Sequence, residues 1–289
     1  MDLLDELEAR LVCGDGAMGT LLLEAGVPLE RCFEALCVSE PERIRTIHED
    51  YITAGARVIE TNTFGANAVR LARFGLERRV GEINRAAVEI AKAAARGRDV
   101  FVAGSVGPLG ITAEEAAERG IDREVCFREQ IAALFEAGVD TIFFETFSDF
   151  AEMEIALRAK NSLGRLPDIC SFACKPDGRL QGGMRLEAAF ARLRDQGAGI
   201  MGVNCCNDPQ EMLGLLRLLS VDFPIAVYPT AGQPRRDGGD VVYDVPPDRF
   251  AASVADLAGT GARLIGGCCG TTPKHVAALA KAIHVYNLG

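Results

Sequence analysis

AGVDTIFFET, Ala137 to Thr146, holds one repeat of the fold. Ala137-Gly138-Val139 reads as a helix end, because glycine just past a helix takes the left-handed conformation without steric cost. Thr141 to Thr146 is then a short, nearly continuous apolar run, the pattern of a strand buried on both faces. Its last residues are polar, and Glu145 is a carboxylate at a strand end.

Seven further runs repeat this pattern: Leu11 to Asp15, Arg57 to Thr63, Val100 to Ser105, Ile169 to Cys174, Ile200 to Cys205, Pro224 to Thr230 and Arg263 to Cys268. Amphipathic stretches lie between them, among them Glu42 to Ala54 and Val80 to Ala95, with apolar residues at threes and fours. Gly55, Gly197 and Gly261 mark helix ends like Gly138, while Thr272-Pro273 and Asn207 or Asp208 before Pro209 mark helix starts. Alternating strands and helices imply parallel strands. Eight units predict an α/β fold, a single (β/α)8 TIM barrel over residues 1–289, with a doubly wound open sheet as the alternative. Thr230 to Pro247, containing TAGQPRRDGGD, reads as a long polar loop or lid after the seventh strand.

The 289 residues carry 31 Lys plus Arg against 41 Asp plus Glu, a formal net charge of −10. With no basic patch, neither nucleic acid nor an anionic membrane is an expected partner. No apolar run is long enough to span a bilayer, and the acidic start MDLLDELEARL lacks the basic region of a signal peptide. A cytoplasmic enzyme is expected. Ten cysteines in such a chain suggest metal or thiol chemistry rather than disulfides. Cys13, Cys32, Cys37, Cys126, Cys170 and Cys174 read as small buried hydrophobes.

Function in a barrel collects at the C-terminal strand ends. Those ends read Asp15-Gly16-Ala17-Met18, Glu60-Thr61-Asn62-Thr63, Glu145-Thr146, Asn204-Cys205-Cys206 and Gly267-Cys268-Cys269. Cys268 and Cys269 are neighbours, so both reach one metal only if the backbone bends, which the flanking glycines permit. His48, His275 and His284 lie away from the strand ends, so the ligands of a zinc site would be thiolates: two from the eighth strand and one, Cys205 or Cys206, from the sixth. A three-thiolate site leaves a fourth position where an incoming thiol would lose its proton. The chemistry expected is alkyl transfer to sulfur. Glu145 would pair with the ammonium of an amino acid. The N–H groups of Gly16, Ala17, Met18 and Gly19 would receive its carboxylate. Glu60 reads as a site acid or an internal salt-bridge member, and Gly104 to Gly107 as a simple turn, with a phosphate cradle as the alternative.

DGAMGT (15–20), ETNTFGAN (60–67), FFET (143–146), GVNC (202–205) and GGCCG (266–270) together resemble the homocysteine S-methyltransferase family, in order and over essentially the whole chain. The resemblance implies a zinc-dependent barrel that methylates homocysteine to methionine. It implies Cys205, Cys268 and Cys269 as catalytic metal ligands, with Cys206 a bystander, and Asp15, Gly16, Ala17, Met18, Asn62 and Glu145 as substrate contacts. Gly65 stands where betaine-using members carry an aromatic residue, and the chain has no Trp for a quaternary-ammonium cage, which disfavours betaine. TNTFGAN looks like the homocysteine module of cobalamin-dependent methionine synthase and of bacterial fusions with methylenetetrahydrofolate reductase. The implied donor is methylcobalamin or methylfolate supplied by a partner module or protein. An S-methylmethionine-dependent enzyme and a non-catalytic zinc-thiolate protein are the alternatives. Thr230 replaces the family's frequent Asn after the seventh strand, so water or another group is expected at the resting fourth zinc position.

Overall fold

The computed structural model describes residues 2–205, 207–219, 223–237 and 240–289. Its ten strands in chain order are β1 Val12–Cys13, β2 Val58–Glu60, β3 Phe101–Val106, β4 Thr141–Phe147, β5 Asp168–Phe172, β6 Ile200–Asn204, β7 Ile225–Tyr228, β8 Arg235–Asp237, β9 Asp240–Val242 and β10 Ala262–Ile265. Eight of them form one sheet in the order β1-β10-β7-β6-β5-β4-β3-β2. All its pairings are parallel. A parallel bridge between Gly14 and Val58 joins the two outer strands and closes the circle. The eight runs read from the sequence are these eight strands, with ends that differ by at most three residues.

Two apolar layers hold the barrel. Inside it, Val12, Val58, Ala103, Phe143, Ile169, Ile200, Ala226, Tyr228 and Leu264 form one cluster. Leu3 and Leu7 join that cluster from the helix Leu3–Ala9, which plugs the N-terminal end of the barrel. Asp2 and Asp5 form a capping box at its start. Glu6 on the same helix is buried and binds Arg57, just ahead of β2, at 2.9 Å. A larger cluster fills the space between strands and surrounding helices.

The expected punctuation is present. Gly55, Gly138, Gly197 and Gly261 all have positive φ, between 84° and 112°. Asp208, not Asn207, caps the helix Pro209–Leu218, accepting from the N–H groups of Gln210 and Glu211. Two readings are corrected. Gly104 to Val106 is not a turn but the end of β3, and Gly107 packs where a Cβ would meet the Phe64 ring at 2.3 Å. The stretch Thr230 to Pro247 is not all loop: β8 and β9 pair as an antiparallel hairpin. Three-residue arms are too short to show a period in sequence. Among the described residues no helix is long and apolar enough to cross a membrane.

Candidate metal centre and substrate cavity

Cys205 follows β6 with φ 60°, a left-handed conformation unusual for a residue with a side chain. Its N–H donates to Tyr228 O at 3.0 Å. Cys268 and Cys269 lie beyond β10, where the chain bends as the glycines permit. Cys268 N–H donates to Pro229 O at 2.7 Å, Cys268 O accepts the Thr271 hydroxyl at 2.7 Å, and Cys269 O accepts Ala231 N–H at 2.9 Å. These bonds turn three sulfurs toward one point: the Sγ atoms of Cys205, Cys268 and Cys269 all lie within 4.8 Å of one another. Tetrahedral ligands at a zinc–sulfur distance of about 2.3 Å sit roughly 3.8 Å apart, so a small ion fits with little adjustment. Cys206 lies outside the described residues.

Crowding makes Cys268 and Cys269 poor acids without a cation. Hydrogen bonding with Cys205 is the largest cause that pushes Cys269 up to about 11, and Cys268 is raised further by its two neighbours and by burial. A cation reverses that preference. Tyr243, just past the hairpin, hydrogen bonds to Cys269. Its ring lies where a Cβ on Gly270 would stand, 2.1 Å from Cγ.

The thiols form one wall of a 350 Å³ cavity, and Asp15, Glu60, Glu145, Ser105 and Tyr228 also line it. Burial raises the pKa of all three carboxyls. Glu60 and Glu145 are hydrogen bonded to each other, which requires a proton between them. Ser105 Oγ donates to Glu145 Oε1. Glu60 therefore belongs to the acidic cluster, and it makes no ion pair among the described residues. Asp15 Oδ2 accepts Glu60 N–H at 2.8 Å, tying the ends of β1 and β2. The Tyr228 hydroxyl is buried without a partner among the described groups.

Gly16, Ala17, Met18 and Gly19 also line the cavity. Ala17 N–H is already given to Thr271 Oγ1 at 3.1 Å, whereas Met18 and Gly19 open the helix Met18–Glu24, where N–H groups lack intrahelical acceptors. Asn62 lines the cavity as well, but its amide N–H groups go to Phe33 O at 2.7 Å and Cys37 Sγ at 3.6 Å. Thr230 points its hydroxyl at Asn207 O, 3.1 Å away. Gly65 donates its N–H to Glu34 Oε1 at 2.8 Å, and a Cβ there would sit 2.5 Å from the same oxygen.

The family model for homocysteine S-methyltransferases matches residues 12–283. The chain belongs to the homocysteine S-methyltransferase family. It is 34% identical to methionine synthase of Mycobacterium tuberculosis over 98% of its own length and 25% of that protein's. It is 33% identical to methionine synthase of Mycobacterium leprae, over its full length and 26% of that protein's. The chain thus spans about a quarter of the length of these curated relatives. Among solved structures it resembles the homocysteine methyltransferase MmuM of Escherichia coli in its metallated form, with a TM-score of 0.79 and 30% identity. That match covers 94% of this chain and 96% of MmuM. Homocysteine is the substrate of the family. Sequence reading missed Ser105, Tyr243 and the side chain of Asn204. Ser105 and Asn204 lie at strand ends that were read as positions and not as partners. Tyr243 carried no signal, since its contact depends on where the chain past the hairpin packs.

Proposed function

We propose that this chain transfers a methyl group to the sulfur of homocysteine, forming methionine, at a zinc ion held by Cys205, Cys268 and Cys269. The observation that carries the reading is the convergence of three thiols from two strand ends on a cavity floored by buried carboxyls. Zinc, when bound, supplies the Lewis acidity that lowers the pKa of a thiol at its open position.

The chain's own groups bind and orient. Glu145, with Glu60 beside it, receives the substrate ammonium, which takes the place of the proton the two carboxyls share. Asp15 holds Glu60 in line through its backbone, and the N–H groups of Met18 and Gly19 receive the substrate carboxylate. Asn62 holds Phe33 against the cavity. The substrate thiol then reaches the cysteine cluster and gives up its proton to solvent water. Its sulfur lone pair attacks the methyl carbon in line, and the donor leaves with the electrons of the broken bond. No general base is needed where the metal provides the acidity.

The methyl donor is methylcobalamin or methylfolate presented by a partner module, a reading supported by likeness to methionine synthases about four times as long as the matched segment. A small donor such as S-methylmethionine is the second reading, favoured by the match over nearly the whole of MmuM. Zinc X-ray absorption with and without homocysteine tests the central claim. The sulfur count should rise from three to four. An unchanged count would mean a zinc-thiolate protein without this chemistry. A donor screen on the zinc-loaded protein then separates the two donors.

A further inference from the structure

Among the described residues, only Thr146 and Cys205 combine a side chain with positive φ, at 62° and 60°. A β-branched residue strongly avoids that region. Thr146 follows Glu145, which receives the ammonium in the proposed reaction, and Cys205 is a proposed metal ligand. One side chain connects them. Asn204 is 2% exposed and immediately precedes Cys205. Its Oδ1 accepts Thr146 N–H at 2.9 Å and the Ser171 hydroxyl at 2.8 Å, while its Nδ2 donates to Thr146 Oγ1 at 2.7 Å. The pairing of β4 with β5 shifts register between Phe144 and Phe147, around Glu145 and Thr146. Bulges of this kind re-aim side chains beside active sites.

We propose that Asn204 is a positioning residue that holds the Thr146 bulge, aims Glu145 into the cavity, and fixes the separation between the ammonium site and the Cys205 sulfur. The inference rests on the methyl-transfer reading through the roles of Glu145 and Cys205. Two bonds to one residue oppose the unfavourable backbone of Thr146, and the third anchors the amide to β5. Because Asn204 leads directly into Cys205, displacement of its side chain moves the ligand as well as the acid.

The test measures homocysteine affinity by calorimetry on zinc-loaded protein, and zinc affinity by chelator competition, for the wild type, Asn204→Ala, Thr146→Gly and the double variant. With an unchanged circular dichroism spectrum, Asn204→Ala should weaken homocysteine about tenfold and zinc about tenfold. Adding Thr146→Gly should return homocysteine to within about threefold of wild type, since glycine adopts the left-handed conformation unaided, and leave zinc weak. A merely structural asparagine would show no such selective rescue. Should Asn204→Ala fail to fold, Thr146→Val, which deletes only the Nδ2 acceptor, should still weaken homocysteine while zinc stays tight. Unchanged affinities in Asn204→Ala, unchanged homocysteine affinity in Thr146→Val, or a double variant without recovery would overturn the proposal alone. A wild type that binds neither zinc nor homocysteine would overturn the methyl-transfer reading too.

Discussion

Glu145 sits in a cluster where burial raises every carboxyl, so in the proposed reaction it would exchange a shared proton for a substrate cation with little change in local charge. Replacing it by Gln keeps the shape and removes the ionic partner of the ammonium. Glu145→Gln should raise KM for homocysteine by one to two orders of magnitude, from the ~1.5–3 kcal/mol of a charge-assisted bond, with a smaller effect on kcat. Steady-state kinetics at saturating donor checks the split. At this scale the sequence was informative about residue types at strand ends but silent on partners. Glu60 appeared as an even choice between site and salt bridge, because its partner Glu145 lies 85 residues away. Cys205 and Cys206 were inseparable by spacing; the left-handed turn at Cys205 lets its sulfur join the other two, and no periodicity encodes that turn.

Strands were legible to within three residues and the two bounded helices to within one, because burial on both faces and glycine at helix ends leave local signals. The helix Val80–Ala95 matches its sequence reading at both ends. The β8–β9 hairpin was not legible, its arms being too short. Tyr243 beyond it touches Cys269, and Tyr243→Phe should lower zinc affinity about tenfold, as loss of a bond to a metal ligand commonly does. Chelator competition measures this. The helix Pro41–Ala54 carries a different liability: His48 is fully buried and both ring nitrogens lack partners among the described residues. Burial depresses its pKa from 6.5 to about 4. The unfolded chain therefore binds the proton first as pH falls. Stability is complete above pH 6.5 and declines through that value until about pH 4, by about 3 kcal/mol from this group. His48→Leu should flatten that part of the curve, as read by urea unfolding between pH 4 and 7.

The barrel as a whole, its closure included, was predictable from eight repeats of one pattern; its plug was not. The sequence placed the acidic stretch MDLLDELEARL before the first strand without saying that Leu3 and Leu7 would enter the barrel interior. Leu7→Ala should cost ~2–5 kcal/mol by opening a cavity there. It should leave homocysteine affinity within about twofold, because distant sites act independently. Denaturant midpoints and calorimetry on one preparation separate the two effects. The seam of the barrel has a consequence for how the protein is assembled. β1 must wait for β10, some 250 residues along, before its short ladder can form, and the stretch that completes the circle also delivers Cys268 and Cys269. A partly made chain can offer Cys205 but not the other two sulfurs. If these three cysteines hold the metal as proposed, its uptake waits until the circle is whole, and zinc content would mark the molecules whose barrel has closed.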